Sequence, residues 1–239
     1  MQLEHSHARA AIAKRLADGT RPNYLRDFVY GGIDGAITTF AIVAGVVGAA
    51  LSANVILILG LANLLADGFS MAAANYSGTK TVTDEFDKAR EIETKHVSLA
   101  PEGEREEVRQ ILEQKGLQGT ALEEAVSAIT ADKNRWIQFM LQEEYGFSLS
   151  RPSPFKAGAA TFAAFIVCGA VPLLPFTLGL EASFTVSVVM TGLVFFSIGA
   201  SKSLWSLAPW WRSGAETLLI GGTAAAMAYG VGYLLRGFA

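Results

Sequence analysis

Long runs without a charged residue limit what this chain can fold into more than any other feature of its sequence. Between Asp34 and Asp67 lie 32 residues without Asp, Glu, Lys, Arg or His, and the runs 157–180, 182–201 and 217–235 contain 24, 20 and 19 such residues. A helix needs about 20 apolar residues to cross the hydrocarbon core of a bilayer. The sequence therefore predicts an integral membrane protein and excludes a chain that is soluble as a whole.

The first run is too long for one helix, and we expect it to break near 51–54, where Ser and Asn interrupt it. The predicted fold is all-α, with five transmembrane helices at about 28–50, 54–77, 155–174, 182–205 and 214–236. The predicted domains are a cytoplasmic N-terminal arm (1–27), helices one and two (28–77), an acidic helical module (78–153) and helices three to five (154–239).

The charged residues concentrate between the second and third helix. From Asp84 to Arg151 there are 15 acidic and 9 basic residues, out of 22 acidic residues in the whole chain. Because no basic stripe is available to neutralise phosphates, we expect no nucleic-acid partner. The single cysteine, Cys168, lies in an apolar run, so the chain cannot form an internal disulfide.

The distribution of Lys and Arg predicts the orientation, since cytoplasmic loops are enriched in these residues. The N-terminal arm has five of them and the acidic segment nine, whereas the loops near 51–54 and 175–181 have none. We therefore expect the arm, the acidic module and the 206–213 loop on the cytoplasmic side. Trp205, Trp210 and Trp211 would then lie at the cytoplasmic membrane interface.

A homodimer is also expected, because small residues let membrane helices approach each other closely. The candidates for such a seam in helix one are Gly35, Ala36, Ala41, Ala44, Gly45 and Gly48.

Helix two carries a polar stripe. Asn63, Asp67, Met71 and Asn75 are each four residues apart and therefore project from one helix face. Oxygen ligands together with a thioether suit a divalent transition metal such as iron or manganese, since Mg²⁺ and Ca²⁺ prefer all-oxygen shells. Helix one adds Asp34, which is flanked by glycines. The stripe and Asp34 form our candidate path for metal or protons.

Each of these residues also has an ordinary structural interpretation. A Met in a membrane helix usually packs against neighbours, an Asn can join two helices, and a carboxylate near the headgroups costs little. A stripe combined with two acids nevertheless favours the metal or proton path, because carboxylates within membrane spans are rare.

Three pairs of candidate metal ligands stand about one helical turn apart in the acidic module. They are Glu93 with His96, Glu104 with Glu107, and Met140 with Glu144. Such a pair presents two ligands from one helix face, and a cation between neighbouring carboxylates relieves their repulsion. On spacing alone, solvated helix surfaces explain the same pattern better.

Residues 34–45, DGAITTFAIVAG, resemble the helix-one signature of the vacuolar iron transporter family. The Ser70-Met71 pair in helix two, an acidic helical insert and three further helices agree with that family, and 140–146 is similar to the Met- and Glu-containing turn that ends its insert. The resemblance covers about 24–236. It implies a dimeric, proton-coupled exporter that moves Fe²⁺ out of the cytosol.

The resemblance also implies roles for individual residues. Asp34 and Met71 would line the transport path. The metal-binding residues of the cytoplasmic insert would be Glu93, Glu104, Glu107, Met140 and Glu144. The chain departs from the family at two positions, since Asn63 stands where helix two commonly has a Glu, and His96 where the insert usually has one. Asp67, one turn beyond Asn63, is the candidate to replace the missing charge.

The predicted function is efflux of a divalent transition metal in exchange for protons, with Fe²⁺ as the first substrate and Mn²⁺ or Zn²⁺ as further ones. The alternative is a membrane-anchored metal sensor or scaffold without transport.

An enzyme is not expected, because the sequence has no nucleophile–base pair, Gly-rich phosphate loop or HExxH motif, and no prosthetic group is expected. The expected location is the inner membrane of a bacterium or a vacuolar-type membrane of a eukaryote. The expected partners are a metal ion, protons, the bilayer and a second copy of the chain.

Overall fold

The computed structural model of the protein describes residues 5–18 and 22–238, and all regular structure in these ranges is helical. The predicted arm contains α1 (Arg9–Asp18), while 1–4 and 19–21 lie outside the described residues. The helices that follow are α2 (Leu25–Gly48), α3 (Ala53–Leu99), α4 (Pro101–Gln114), α5 (Gly119–Thr130), α6 (Lys133–Glu143), α7 (Pro154–Ala170), α8 (Leu174–Thr177), α9 (Ser183–Lys202) and α10 (Trp210–Leu235).

Five helical segments in the described ranges are long and apolar enough to cross a membrane, which confirms the predicted all-α fold with five spanning helices. They are Leu25–Gly48, Ala53–Leu99, Pro154–Thr177, Ser183–Trp205 and Trp210–Phe238. The third segment joins α7 and α8 through a 3₁₀ turn, Val171–Leu173. Pro172 and Pro175 lack an N–H donor, so the helix changes its hydrogen bonding at this point without reversing direction.

Helix α3 differs most from its predicted bounds, because it continues to Leu99 instead of ending near 77. No proline lies between its two ends, and its charged half contains good helix formers and an ion pair between Lys80 Nζ and Asp84 Oδ2 at 2.6 Å. The helix stops just before Pro101, as expected where a proline disfavours helical backbone in the preceding residue.

The chain divides into two compact units. The membrane unit consists of 23–78 and the residues from 154 onward, and it contains four of the spanning segments and the apolar half of α3. The acidic unit consists of 79–153 together with the described residues of the arm up to 22.

In the membrane unit, α2 packs against α7, α9 and α10. Glycines allow the close approach: a methyl group at Gly35 would lie 2.8 Å from Cα of Phe165, and one at Gly232 would collide with the Gly45 carbonyl. Four of the six small residues proposed for a dimer seam are buried inside the chain, namely Gly35, Ala36, Ala44 and Gly48. The predicted seam is therefore wrong, because these residues pack helices within one chain.

The acidic unit has an apolar core of its own, supplied by the charged half of α3 and by α4, α5 and α6. Each of these four helices contributes apolar side chains to the core, for example Phe86, Val108, Leu122 and Trp136. Asp132 begins α6 by accepting a hydrogen bond from the backbone N–H of Arg135 at 2.8 Å. Packing of α4 onto this core holds its first turn close to the end of α3.

Candidate functional sites

The polar stripe of α3 lies at the edge of the membrane unit's interior. Its four members, Asn63, Asp67, Met71 and Asn75, are all half-buried, and Leu64 and Gly68 beside them are buried. The Asn63 side-chain amide donates hydrogen bonds to Thr38 Oγ1 at 3.1 Å and Thr39 Oγ1 at 3.4 Å. The stripe therefore faces α2.

Asp34 of α2 is half-buried and lies close enough to Asp67 of α3 for the two carboxylates to repel each other. Met71, one turn beyond Asp67, packs against an apolar cluster that includes Phe40 and Phe165. The structure thus places two acids from separate helices close together, with a thioether one turn away on α3.

Asn75, at the other end of the stripe, joins three helices. Its amide nitrogen donates to Asp27 Oδ1 at 2.8 Å, to Thr161 Oγ1 at 2.7 Å and to the Ala157 carbonyl at 3.3 Å. Asp27 was not among the residues predicted from the sequence, although it stands seven residues before Asp34 and therefore on the same helical face.

In the acidic unit, Glu93 and His96 of α3 converge with Glu104 of α4. One ligand atom from each of the three residues lies within 4.8 Å of the others, and His96 Nδ1 is 3.2 Å from Glu104 Oε1. Glu93 and Glu104 are buried, and the Oε2 atom of each has no hydrogen-bond partner among the described residues. Glu93 Oε1 accepts a hydrogen bond from the hydroxyl of Tyr145 at 3.0 Å.

The electrostatics of this cluster favour protons or a cation. Burial, followed by the nearby carboxylates of Glu93 and Glu107, raises the pKa of Glu104 to about 8. Partial loss of hydration also raises the pKa of Glu144, and the nearby carboxylates of Glu93 and Glu107 add to the effect. Partial loss of hydration at the hydroxyl raises the pKa of Tyr145, and its hydrogen bond to Glu93 adds to the effect. Buried oxygens without donors, next to an imidazole, are a ligand set that suits Fe²⁺ or Zn²⁺.

The remaining predicted ligands of the acidic unit are placed differently. Glu107 and Glu144 are exposed, but both are near enough to affect the titration of the central acids. Met140 is fully buried in the apolar core. Tyr145 was not among the predicted ligands, and its position directly after Glu144 is the only sequence signal that points to it.

The spanning helices define an integral, multi-pass membrane protein with acidic groups in both of its units. A family model described as the VIT family matches residues 25–233, and the chain belongs to that family. The chain is 34% identical over 229 residues to the vacuolar iron transporter of Toxoplasma gondii, covering 91% of this chain and 76% of that protein. It is 32% identical over 215 residues to vacuolar iron transporter 1 of Arabidopsis thaliana, covering 88% of this chain and 85% of that protein.

The family assignment confirms the resemblance drawn from 34–45 and supports metal transport. It is consistent with the prediction that the protein is not an enzyme. It does not favour the alternative of a sensor or scaffold without transport.

Proposed function

We propose that this protein exports a divalent transition metal from the cytosol in exchange for protons, with Fe²⁺ as the first substrate and Mn²⁺ and Zn²⁺ as further ones. The proximity of the Asp34 and Asp67 carboxylates, between α2 and α3 of the membrane unit, carries the proposal. The relatives are named vacuolar iron transporters, which supports Fe²⁺ as the first substrate.

Competition between metal and protons would produce the exchange. Two carboxylates that repel each other in a poorly hydrated site are stabilised either by protons or by a cation, and one site does not hold both at once. If the site opens alternately to the two sides of the membrane, metal leaves in one direction while protons return in the other. Met71 offers a sulfur ligand that binds no proton near neutral pH, so it would contribute to metal selectivity more than to coupling.

The acidic unit would collect the metal before transport. This part of the proposal is supported by the convergence of Glu93, His96 and Glu104 within 4.8 Å and by the two buried carboxylate oxygens without donors. We place this unit on the cytoplasmic side, because the bases of the arm and of 84–151 outnumber those of the opposite loops. Glu107 and Glu144 would supply further negative charge around the metal.

Two copies of the chain are proposed to form a homodimer, which is the state implied by the resemblance of 34–45 to the family. The interface would use apolar helix faces that one chain leaves exposed, such as those of α3 and α10. Disulfide cross-linking between single cysteines introduced on the exposed face of α10 tests this assembly, after Cys168 has been replaced by Ala.

Uptake into proteoliposomes tests the transport reaction. The purified chain is reconstituted with a metal-sensitive dye inside the vesicles, and Fe²⁺ entry is recorded with and without an imposed pH gradient. We expect gradient-dependent entry with the intact chain and none with Asp34→Asn. Glu216→Gln is the matched control, since Glu216 is an exposed acid on α10, and it should transport normally.

Two results would contradict separate parts of the proposal. Failure of the folded, intact chain to move any metal would argue against transport. Metal entry at the same rate with and without the pH gradient would leave transport intact and exclude proton exchange.

A further inference from the structure

A cavity of about 440 Å³ lies in the membrane unit at the end of the helices where α2 begins and α9 ends. Its lining residues are Asn23, Arg26, Val29, Lys202 and Trp205. Neither the metal sites nor the proposed path includes any of these residues. The volume is within the range of pockets that hold a small organic ligand, about 300–1,000 Å³.

The polar part of the lining is cationic and has no acid to balance it. Neither Arg26 nor Lys202 forms an ion pair with any residue of 5–18 or 22–238. Asn23 uses its side-chain oxygen to accept the backbone N–H of Leu25 at 2.9 Å, so its amide hydrogens are the donors it can offer to a ligand. Two positive charges beside an amide donor are complementary to a phosphate group.

The rest of the cavity lining is apolar and includes Trp205, an exposed tryptophan at the end of the fourth spanning segment. Val29 and Trp205 supply this part of the lining. Trp210 and Trp211, at the start of α10, are both 57% exposed, and Leu207 between them and α9 is fully exposed. Exposed tryptophans at the ends of spanning helices are typical of the headgroup region of a bilayer. A ligand here would contact both the phosphate-binding groups and an apolar surface suited to acyl chains.

We propose that this cavity binds the headgroup of an anionic phospholipid, with its phosphate between Arg26 and Lys202 and its acyl chains along Val29 and Trp205. Basic pockets between membrane helices are suited to such headgroups. An anionic lipid fits better than a soluble anion, because the lining combines charge with apolar surface. Bound there, the lipid would link the first turn of α2 to the last turn of α9.

Native mass spectrometry of the full chain in a neutral detergent tests the site. Palmitoyl-oleoyl phosphatidylglycerol is the probe, and phosphatidylcholine with the same acyl chains is the comparison. We expect the intact chain to retain phosphatidylglycerol in preference to phosphatidylcholine. Arg26→Gln combined with Lys202→Gln should weaken retention roughly 30-fold, which corresponds to about 1 kcal/mol for each base near an anionic headgroup.

The matched control is Arg212→Gln combined with Arg236→Gln, which removes two exposed bases that do not line the cavity. We expect this variant to retain phosphatidylglycerol within about twofold of the intact chain, because each base contributes about 1 kcal/mol only where it lines the cavity. Equal losses in both double variants would overturn the proposed site, as would equal retention of the two lipids.

Glycerol 3-phosphate distinguishes the lipid from its headgroup. If it displaces phosphatidylglycerol at equal concentration, the site binds a soluble phosphate and the lipid proposal is wrong. Should the double variant not fold, Arg26→Gln and Lys202→Gln are measured singly, each with an expected loss of about fivefold. No loss in either single variant would equally overturn the proposal.

Discussion

Replacement of Glu104 by Gln should remove most of the proton release that accompanies metal binding to the acidic unit. With a pKa of about 8, Glu104 is about 90% protonated at pH 7 in the metal-free protein. A carboxylate must be ionised to bind metal, so each ion bound through Glu104 at pH 7 displaces about 0.9 proton from this residue. At pH 9 the same residue is already about 90% ionised and should release only about 0.1 proton.

Calorimetric titration of the full chain with Co²⁺ measures this release, in buffers of different ionisation enthalpy at pH 7 and pH 9. The quantity of interest is the difference between the intact chain and Glu104→Gln, because protons from the membrane site are common to both. Glu102→Gln is the control, since Glu102 is an exposed acid in the same helical turn. Equal proton release from Glu104→Gln and the intact chain at pH 7 would refute the reasoning.

The raised pKa of Glu104 also predicts how the stability of the metal-free protein depends on pH. Because folding raises the pKa of Glu104 from 4.5 to about 8, its contribution to stability is complete below pH 4.5 and is lost as the pH rises through 8. The melting temperature of the metal-free intact chain should therefore fall across this range, and that of Glu104→Gln should fall less. A parallel decline in both would contradict the prediction.

Three further substitutions test the membrane unit. Asp67→Asn should flatten the pH dependence of transport if Asp67 replaces the charge missing at Asn63, and an unchanged pH profile would refute this. Met71→Ala should slow Fe²⁺ entry and shift the preference toward harder ions such as Mn²⁺, as measured by competition in proteoliposomes. Asn75→Ala should lower the free energy of unfolding by about 1–3 kcal/mol, because Asp27 loses the hydrogen bond that Asn75 donates. Asn54→Ala, at an exposed position, should leave the free energy of unfolding unchanged.

The spanning helices could be predicted from the sequence because each charge-free run is about as long as one bilayer crossing or longer. The end of the second helix could not, since apolarity stops near 77 while helix-forming residues continue to Leu99. Loss of hydrophobicity marks the end of a membrane span, but only a proline, a glycine turn or a cap marks the end of a helix.

Helix geometry predicted the proximity of only two members of the candidate metal-binding cluster. Glu93 and His96 are three residues apart, so their proximity follows from helical geometry. Glu104 joins them because the chain reverses at Pro101, and Tyr145 reaches Glu93 across 52 residues of sequence. Met140 shows the opposite case, because a methionine at helical spacing from an acid has the same pattern whether it packs in a core or binds metal. Its burial among apolar residues favours packing.

The two amides of the α3 stripe have a structural role that differs from that of the acids between α2 and α3. Asn63 donates to two threonines of α2, and Asn75 donates to Asp27 and Thr161, so the amide hydrogens of both residues are directed at the protein. Amides in these positions hold α3 against its neighbours and add no charge. Between these two attachments, Asp67 and the nearby Asp34 supply the carboxylates. We therefore propose that Asn63 strengthens the helix contact and leaves the charge chemistry to Asp67, one turn further along α3.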